Sequence, residues 1–195
     1  MKNLLRMKKV KTGVIHGRFQ GLHYGHMEYL LEGKKRCEFL YIGITNPDTG
    51  LTKENAADTK RSMPEENPFT YYERMIMLRD AMLEAGIKRD EFEIVPFPIN
   101  VPELIQHYVP LDALFFVTIY DEWGNHKLKT IQDLGCKTDL MWTRKLDERF
   151  TTGKDVRKLI AAGQPWEQLL PKSVAHYIKN HGLDLRIKKL KNENA

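Results

Sequence analysis

The sequence predicts the α/β fold class: a doubly wound parallel sheet in a single domain that closes with C-terminal helices. Three observations predict it. Short β-branched or apolar runs alternate with segments of helical periodicity. A glycine-rich turn stands where the first of those runs meets its helix. The chain has 195 residues, 42% hydrophobic and 29% charged, which suffices for one substantial core.

Val10 to Ile15 is a short β-branched segment ending at the Gly17 turn and reads as a buried first strand. From His26 to Arg36, Met27, Leu30 and Leu31 recur at helical spacing, while Glu28, Glu32, Lys34 and Lys35 take the other face. Phe39 to Ile44 is the second strand, so the unit is a parallel crossover. Asn46 to Pro68 is polar and reads as a long loop, a length that compact domains reserve mainly for function. Thr70 and Glu73 make a capping box for a helix through Met75, Met77, Leu78 and Met82 to Gly86. The strands Phe92 to Phe97, Ala113 to Ile119 and Thr138 to Trp142 follow, separated by a short helix from Pro102 to Tyr108 and one from His126 to Leu134. Helices over Asp155 to Ala162 and Trp166 to Asn180 are stopped by Gly163 and Gly182. The expected core spans about 10–182, with basic tails at 1–9 and 183–195.

The net charge is +5, and much of the basic excess sits toward the ends, at Lys2, Arg6, Lys8, Lys9 and Lys11, then Arg186, Lys188, Lys189 and Lys191. Neither tail supplies stacking aromatics, so they read as solvated and nucleic acid is not expected as a partner. Modest positive charge suits anionic small molecules. No apolar run is long enough to span a bilayer, and the first residues lack a secretory leader pattern, so no membrane partner is expected and the expected location is the cytoplasm. Cys37 and Cys136 lie far apart in no ligand spacing and read as reduced thiols, and no metal-ligating set is expected. His16, His126, His176 and His181 show no pairing and read as structural or surface residues.

The strongest signal is the run Gly17-Arg18-Phe19-Gln20-Gly21-Leu22-His23-Tyr24-Gly25-His26 between the first strand and its helix. In an open parallel sheet that junction faces the ligand crevice. Its glycines let backbone N–H groups approach phosphate, and the helix start offers unpaired donors. His23 and His26, three apart, can face one side and stabilise charge that develops on a phosphoryl group. A second signature, Thr151-Thr152-Gly153-Lys154-Asp155-Val156-Arg157, opens a late helix, where hydroxyls, a glycine and N–H groups make an anion site and Arg157 grips a phosphate. Thr118 to Asn125 lies at the C-terminal end of the apolar strand. There Trp123 can stack on a base, with Asp121 or Glu122 accepting from an exocyclic amine, or equally can pack partly exposed on the helix below.

The first run resembles the Gly-Arg-Phe-Gln-x-x-His-x-Gly-His motif of the nucleotidyltransferase superfamily, in the form found in archaeal-type nicotinamide mononucleotide adenylyltransferases. Asn67-Pro68-Phe69-Thr70 with Glu73-Arg74-Met75 is similar to further segments of that family, as is Thr151 to Pro171, so the resemblance spans Lys11 to Ile178. The late signature resembles the family's Ser-x-Thr-x-x-Arg motif, with Lys154 where the family commonly has threonine. Only Gly124-Asn125 matches the family's adenine-side Ser-Gly-Asn run.

The resemblance implies a Rossmann-like nucleotidyltransferase fold and an adenylyltransferase that joins ATP to a small phosphate-bearing acceptor, most closely nicotinamide or nicotinate mononucleotide. The acceptor phosphate attacks the α-phosphorus in line, Mg2+ spreads the charge, and pyrophosphate leaves without a covalent enzyme intermediate. It further implies catalytic roles for His23, His26 and Arg157, and nucleotide contacts from Gly17, Arg18, Phe19, Gln20, Gly25, Trp123, Gly124, Asn125, Thr151, Thr152, Gly153 and Lys154. Arg74, Phe97, Asn100 and Tyr108 are the expected acceptor contacts, with a solvated helix face the equal reading for Arg74; the family's stacking tryptophan has no clear counterpart, and Tyr108, His107 or Phe97 are the candidates to replace it. The expected assembly is a homo-oligomer. A cytidylyltransferase acting on a phosphorylated or phosphonate alcohol is the alternative, and an inactive nucleotide-binding regulator a third reading. All depend on the early histidine pair and the late Thr-Gly-Arg turn converging on one triphosphate.

Overall fold

The computed structural model describes residues 8–47 and 63–193; the middle of the expected polar loop, 48–62, lies outside the described residues. Five strands, β1 (Val10–Gly17), β2 (Cys37–Thr45), β3 (Phe92–Phe97), β4 (Leu114–Ile119) and β5 (Lys137–Thr143), form one sheet in the order β3-β2-β1-β4-β5. Every pairing is parallel. With helices on both faces, the arrangement is a Rossmann-like doubly wound sheet whose order reverses between β1 and β4.

Alternation along β1 divides the core. Ile15 points to the layer that receives Leu30, Met77, Val156 and Ile178, from α1 (Tyr24–Arg36), α2 (Tyr71–Glu84), α4 (Gly153–Ala161) and α5 (Lys172–Asn180). Val14 points to the other layer, with Phe97, Ile105, Phe115 and Ile131, covered by the turn Pro102–His107 and α3 (Glu122–Asp133). Gly43 matters in this second layer. A Cβ there would stand 2.7 Å from the Phe97 Cβ and 2.6 Å from its ring, so only glycine lets Phe97 lie across β2.

Four boundaries differ from expectation, each for a local reason. α1 begins at Tyr24 because the His23 ring Nδ1 accepts from the His26 backbone N–H at 3.3 Å and so caps the helix. α3 begins at Glu122 because Asp121 accepts from Gly124 N–H at 2.9 Å, which places Trp123, Gly124 and Asn125 in its first turn. The expected helix from Trp166 to Asn180 is broken: a 3-10 turn spans Glu167–Leu169, and α5 starts after Pro171, whose ring supplies no donor. The Glu84 carboxylate accepts from Lys172 and Ser173 N–H at 3.0 and 2.8 Å, closing that new helix start from α2. The fourth is the C-terminal tail. Leu183–Glu193 forms α6, with Leu183 and Ile187 buried in the first core layer. Arg186 holds both Glu73 carboxylate oxygens, at 2.7 and 2.8 Å, and the Pro68 carbonyl at 3.1 Å. The core therefore extends beyond the expected limit at 182, since those apolar positions recur at helical spacing among the lysines.

The Thr70 and Glu73 capping box is present, and both cysteines are free and buried. Among the described residues no helix is long and apolar enough to cross a membrane.

Candidate active site

A cavity of about 490 Å³ opens at the C-terminal ends of β1 and β4, where the strand order reverses. The two sequence signatures meet there. A Cβ on Gly153 would lie 2.3 Å from the Gln20 carbonyl oxygen, so the start of α4 packs directly on the loop after β1. Arg157, one turn into α4, donates to that same carbonyl at 2.8 Å and forms an ion pair with Glu66. Thr152 and Asp155 cap α4 reciprocally, leaving the helix entrance and its dipole facing the cavity. Thr151, Thr152, Gly153 and Lys154 all line it.

The histidine pair stands opposite. The rings of His23 and His26 stack with centroids 3.8 Å apart. Because His23 Nδ1 accepts a backbone N–H, the neutral ring carries its proton on Nε2 and offers a donor. Burial pushes His23 down to about 4, with Arg149 adding to the shift and Asp155 opposing it. Burial likewise holds His26 well below the ordinary histidine value, helped by His23, Arg149 and Arg18. Both imidazoles are neutral at pH 7, beside a wall that also carries Arg18, Lys127, Arg144, Arg149, Lys154 and Arg157. A bound polyphosphate would reverse that electrostatic environment and draw protons onto the pair. Among the described residues, two non-glycine residues adopt left-handed backbone, Phe19 at φ 52 and Asn46 at φ 50, and both border the cavity. Such strain is characteristic of ligand sites.

Gly17, Arg18, Phe19, Gln20, His23, Gly25, His26, Asn100, Trp123, Gly124, Thr151, Thr152, Gly153, Lys154 and Arg157 all line this cavity. Gln20 contributes only its backbone, because its side-chain amide is spent on Phe69, donating to the carbonyl at 2.9 Å and accepting from the N–H at 3.0 Å. Four expected contacts lie elsewhere. Asn125 points from α3 into a shallow neighbouring depression. Arg74 is 1% exposed and does not line the cavity; its guanidinium donates to the carbonyls of Arg18, Thr45, Asn46 and Thr70 at 2.7 to 3.2 Å and so clamps the loops after β1 and β2. Phe97 is wholly buried beneath the site, and Tyr108 is exposed outside the cavity.

The structure adds residues that sequence reasoning missed. His16, expected to be structural or surface, lines the cavity from the end of β1. Glu66 holds Arg157, and Arg149 lies over the Tyr120 ring at 4.1 Å. Arg144 pairs with Glu28 at 2.8 Å. A signal existed for two of them, since His16 directly precedes the Gly17 turn at a strand end and Arg149 stands two residues before Thr151. Among the described residues no group of three His, Cys, Asp or Glu side chains could hold a metal ion. The carboxylates at the cavity are already engaged, Glu66 with Arg157, Glu28 with Arg144, and Asp121 with the α3 cap. That donor set fits a divalent ion arriving on a nucleotide's phosphates.

Comparison with known proteins agrees with this geometry. Residues 14–164 match the Cytidylyltransferase-like family. The chain is 51% identical over 177 residues to the phosphonoformate cytidylyltransferase of Streptomyces viridochromogenes, covering 91% of this chain and 95% of that one. It is 32% identical over 173 residues to the nicotinamide-nucleotide adenylyltransferase of Pyrococcus furiosus, covering 87% and 84%. Among solved structures, the bifunctional NMN adenylyltransferase/ADP ribose pyrophosphatase of Francisella tularensis shares the fold with a TM-score of 0.65 at 14% identity. The match covers 94% of this chain but 53% of that one, so this chain spans about half of that protein's length. The strand-end cavity, the stacked histidines and a family match running from β1 through α4 lead to one conclusion: the chain belongs to the cytidylyltransferase-like family and is a nucleotidyltransferase.

Proposed function

We propose that this nucleotidyltransferase transfers CMP from CTP to a small phosphonate or phosphorylated alcohol and releases pyrophosphate. The observation that carries the reading is the full-length similarity to a phosphonoformate cytidylyltransferase, well above that to the nicotinamide-nucleotide adenylyltransferases. The cavity is in keeping with it: Phe97 and Tyr108, the rings expected to pack on a nicotinamide, do not reach the site. The alternative reading of the sequence thus displaces ATP with a mononucleotide as the leading one.

In this reaction a phosphonate or phosphate oxygen of the acceptor attacks the α-phosphorus of CTP. The bond from that phosphorus to the bridging oxygen breaks, and pyrophosphate carries the electron pair away. His23 and His26 donate to phosphate oxygens on which charge accumulates, and the α4 entrance with Lys154 and Arg157 takes the leaving phosphates. To reach them Arg157 exchanges Glu66 for phosphate. Mg2+, carried on the triphosphate, supplies charge neutralisation. Catalysis rests on orientation and preset donors, with no enzyme nucleophile.

A pyrophosphate-release assay crossing CTP and ATP against phosphonoformate, phosphoalcohols and nicotinamide mononucleotide tests this. CTP with a small phosphonate or phosphoalcohol is expected to turn over. Turnover of ATP with the mononucleotide, and of no CTP pair, overturns it.

A further inference from the structure

The buried polar atoms of the cavity include an imidazole that the reaction above does not use. His16 is 4% exposed at the end of β1, and neither Nδ1 nor Nε2 has a hydrogen-bond partner. An orphaned pair of ring nitrogens in a folded interior is costly, and it persists where a ligand completes the bonds. The ring is also deliberately seated. Its face stacks on Phe97 with centroids 4.7 Å apart and 15° between planes, and Phe97 can lie there because β2 carries Gly43 beside His16 in the register. The Phe97 side of the imidazole is thus closed, and the ring lines the cavity.

Its neighbours at that end of the cavity are Thr45, Asn46, Ile99 and Asn100, from the ends of β2 and β3. The Asn100 amide donates to Asn46 Oδ1 at 3.4 Å, so the corner is polar and narrow. Lys127 is close enough to oppose protonation of His16. A neutral imidazole N–H, two amides and an ammonium suit a compact anion and provide no flat face for a second nucleobase. The acceptor's reacting oxygen must lie toward the histidine pair and α4, where the triphosphate is handled. The opposite end of the acceptor therefore meets His16.

We infer that His16 is the acceptor-selecting residue, donating a ring N–H to a second acidic group, a carboxylate, carried by a small phosphonate acceptor. The inference rests on the proposed function and deepens it, because it narrows the acceptor to a phosphonate with an adjoining carboxylate.

The test compares the wild type with His16→Phe, which keeps the stack on Phe97 but removes both nitrogens, and His16→Asn, which restores a donor. With CTP fixed, KM is measured for phosphonoformate and for methylphosphonate, which lacks the carboxylate. The wild type is expected to prefer phosphonoformate. His16→Phe is expected to raise KM for phosphonoformate about 30-fold, leave methylphosphonate and CTP within about twofold, and so erase the preference; His16→Asn recovers part of it. An unchanged phosphonoformate KM in a folded His16→Phe protein overturns the inference, as does an equal loss toward CTP. If the wild type uses neither phosphonate with CTP, the phosphonate branch of the proposed function fails separately, and His16 is then judged by its ring 15N shifts on adding phosphonoformate alone. Movement of the His16 resonance supports the contact, and its absence overturns it.

Discussion

On the α1 and α4 side of the cavity, the functional groups are bound into the fold: His23 caps α1, Thr152 caps α4, and Arg157 is held by Gln20 and Glu66. On the β1 to β3 side, the His16 ring nitrogens have no hydrogen-bond partner and the two asparagine amides share one long contact. The difference separates two tasks. His23, Thr152 and Arg157 double as structure, so changing them disturbs rate and scaffold together. Groups on the acceptor side carry no comparable structural duty, so they can be exchanged to retune selectivity at little cost in stability.

The comparison can be broken or sharpened by substitution. The largest effect is expected for His26→Ala, which removes a donor from the histidine pair: kcat should fall about 100-fold or more, with the melting temperature little changed. Turnover near that of the wild type, read by pyrophosphate release, removes the pair from the chemistry. Next is Arg74→Met. Leaving four backbone carbonyls without their buried guanidinium should cost about 3 kcal/mol of stability, measured by urea denaturation, without selectively raising the acceptor KM. A specific loss of acceptor binding in a stable protein would return Arg74 to the site. Gly153→Ala places a Cβ against the Gln20 carbonyl and should destabilise by about 2 kcal/mol while raising the CTP KM, because α4 must shift away from the loop.

Acid comes next. His16, pushed down to about 3 by burial and by Lys127, and His23, at about 4, are neutral in the fold but have an ordinary value of 6.5 when unfolded. The unfolded chain therefore takes up protons first. The stability that these neutral rings contribute is fully present above pH 6.5 and is lost as the pH falls toward 4 and then 3. Urea midpoints at pH 7.5 and 5 should differ less in His16→Phe than in the wild type; parallel slopes would show that His16 does not contribute. The smallest effect is expected for Glu66→Gln, which frees Arg157 for phosphate and should tighten CTP binding about threefold by calorimetry. Weaker binding would mean that Glu66 positions the guanidinium.

The same contrast explains what could be read in advance. The triphosphate side is encoded in two short contiguous runs, 17–26 and 151–157, whose glycines, caps and turn positions carry local meaning in one dimension. The parallel sheet followed from the alternating pattern and the crossover rule. The acceptor corner instead gathers His16, Asn46 and Asn100 from three strand ends; Asn100 was expected there, but His16 carried only its place before the Gly17 turn and Asn46 lay in a long polar loop. Arg74 misled because a fully buried arginine on backbone carbonyls and one on a substrate look alike in sequence. The last helix was missed because its lysines outnumber the two apolar residues that seat it.

That helix has a mechanical consequence. Through Arg186 it grips Glu73 and the Pro68 carbonyl, next to the Phe69 backbone that Gln20 clasps from the other side. α6 thus braces the glycine-rich turn that follows β1. A truncated or C-terminally fused version would forfeit alignment at the histidines before it lost any residue that touches nucleotide.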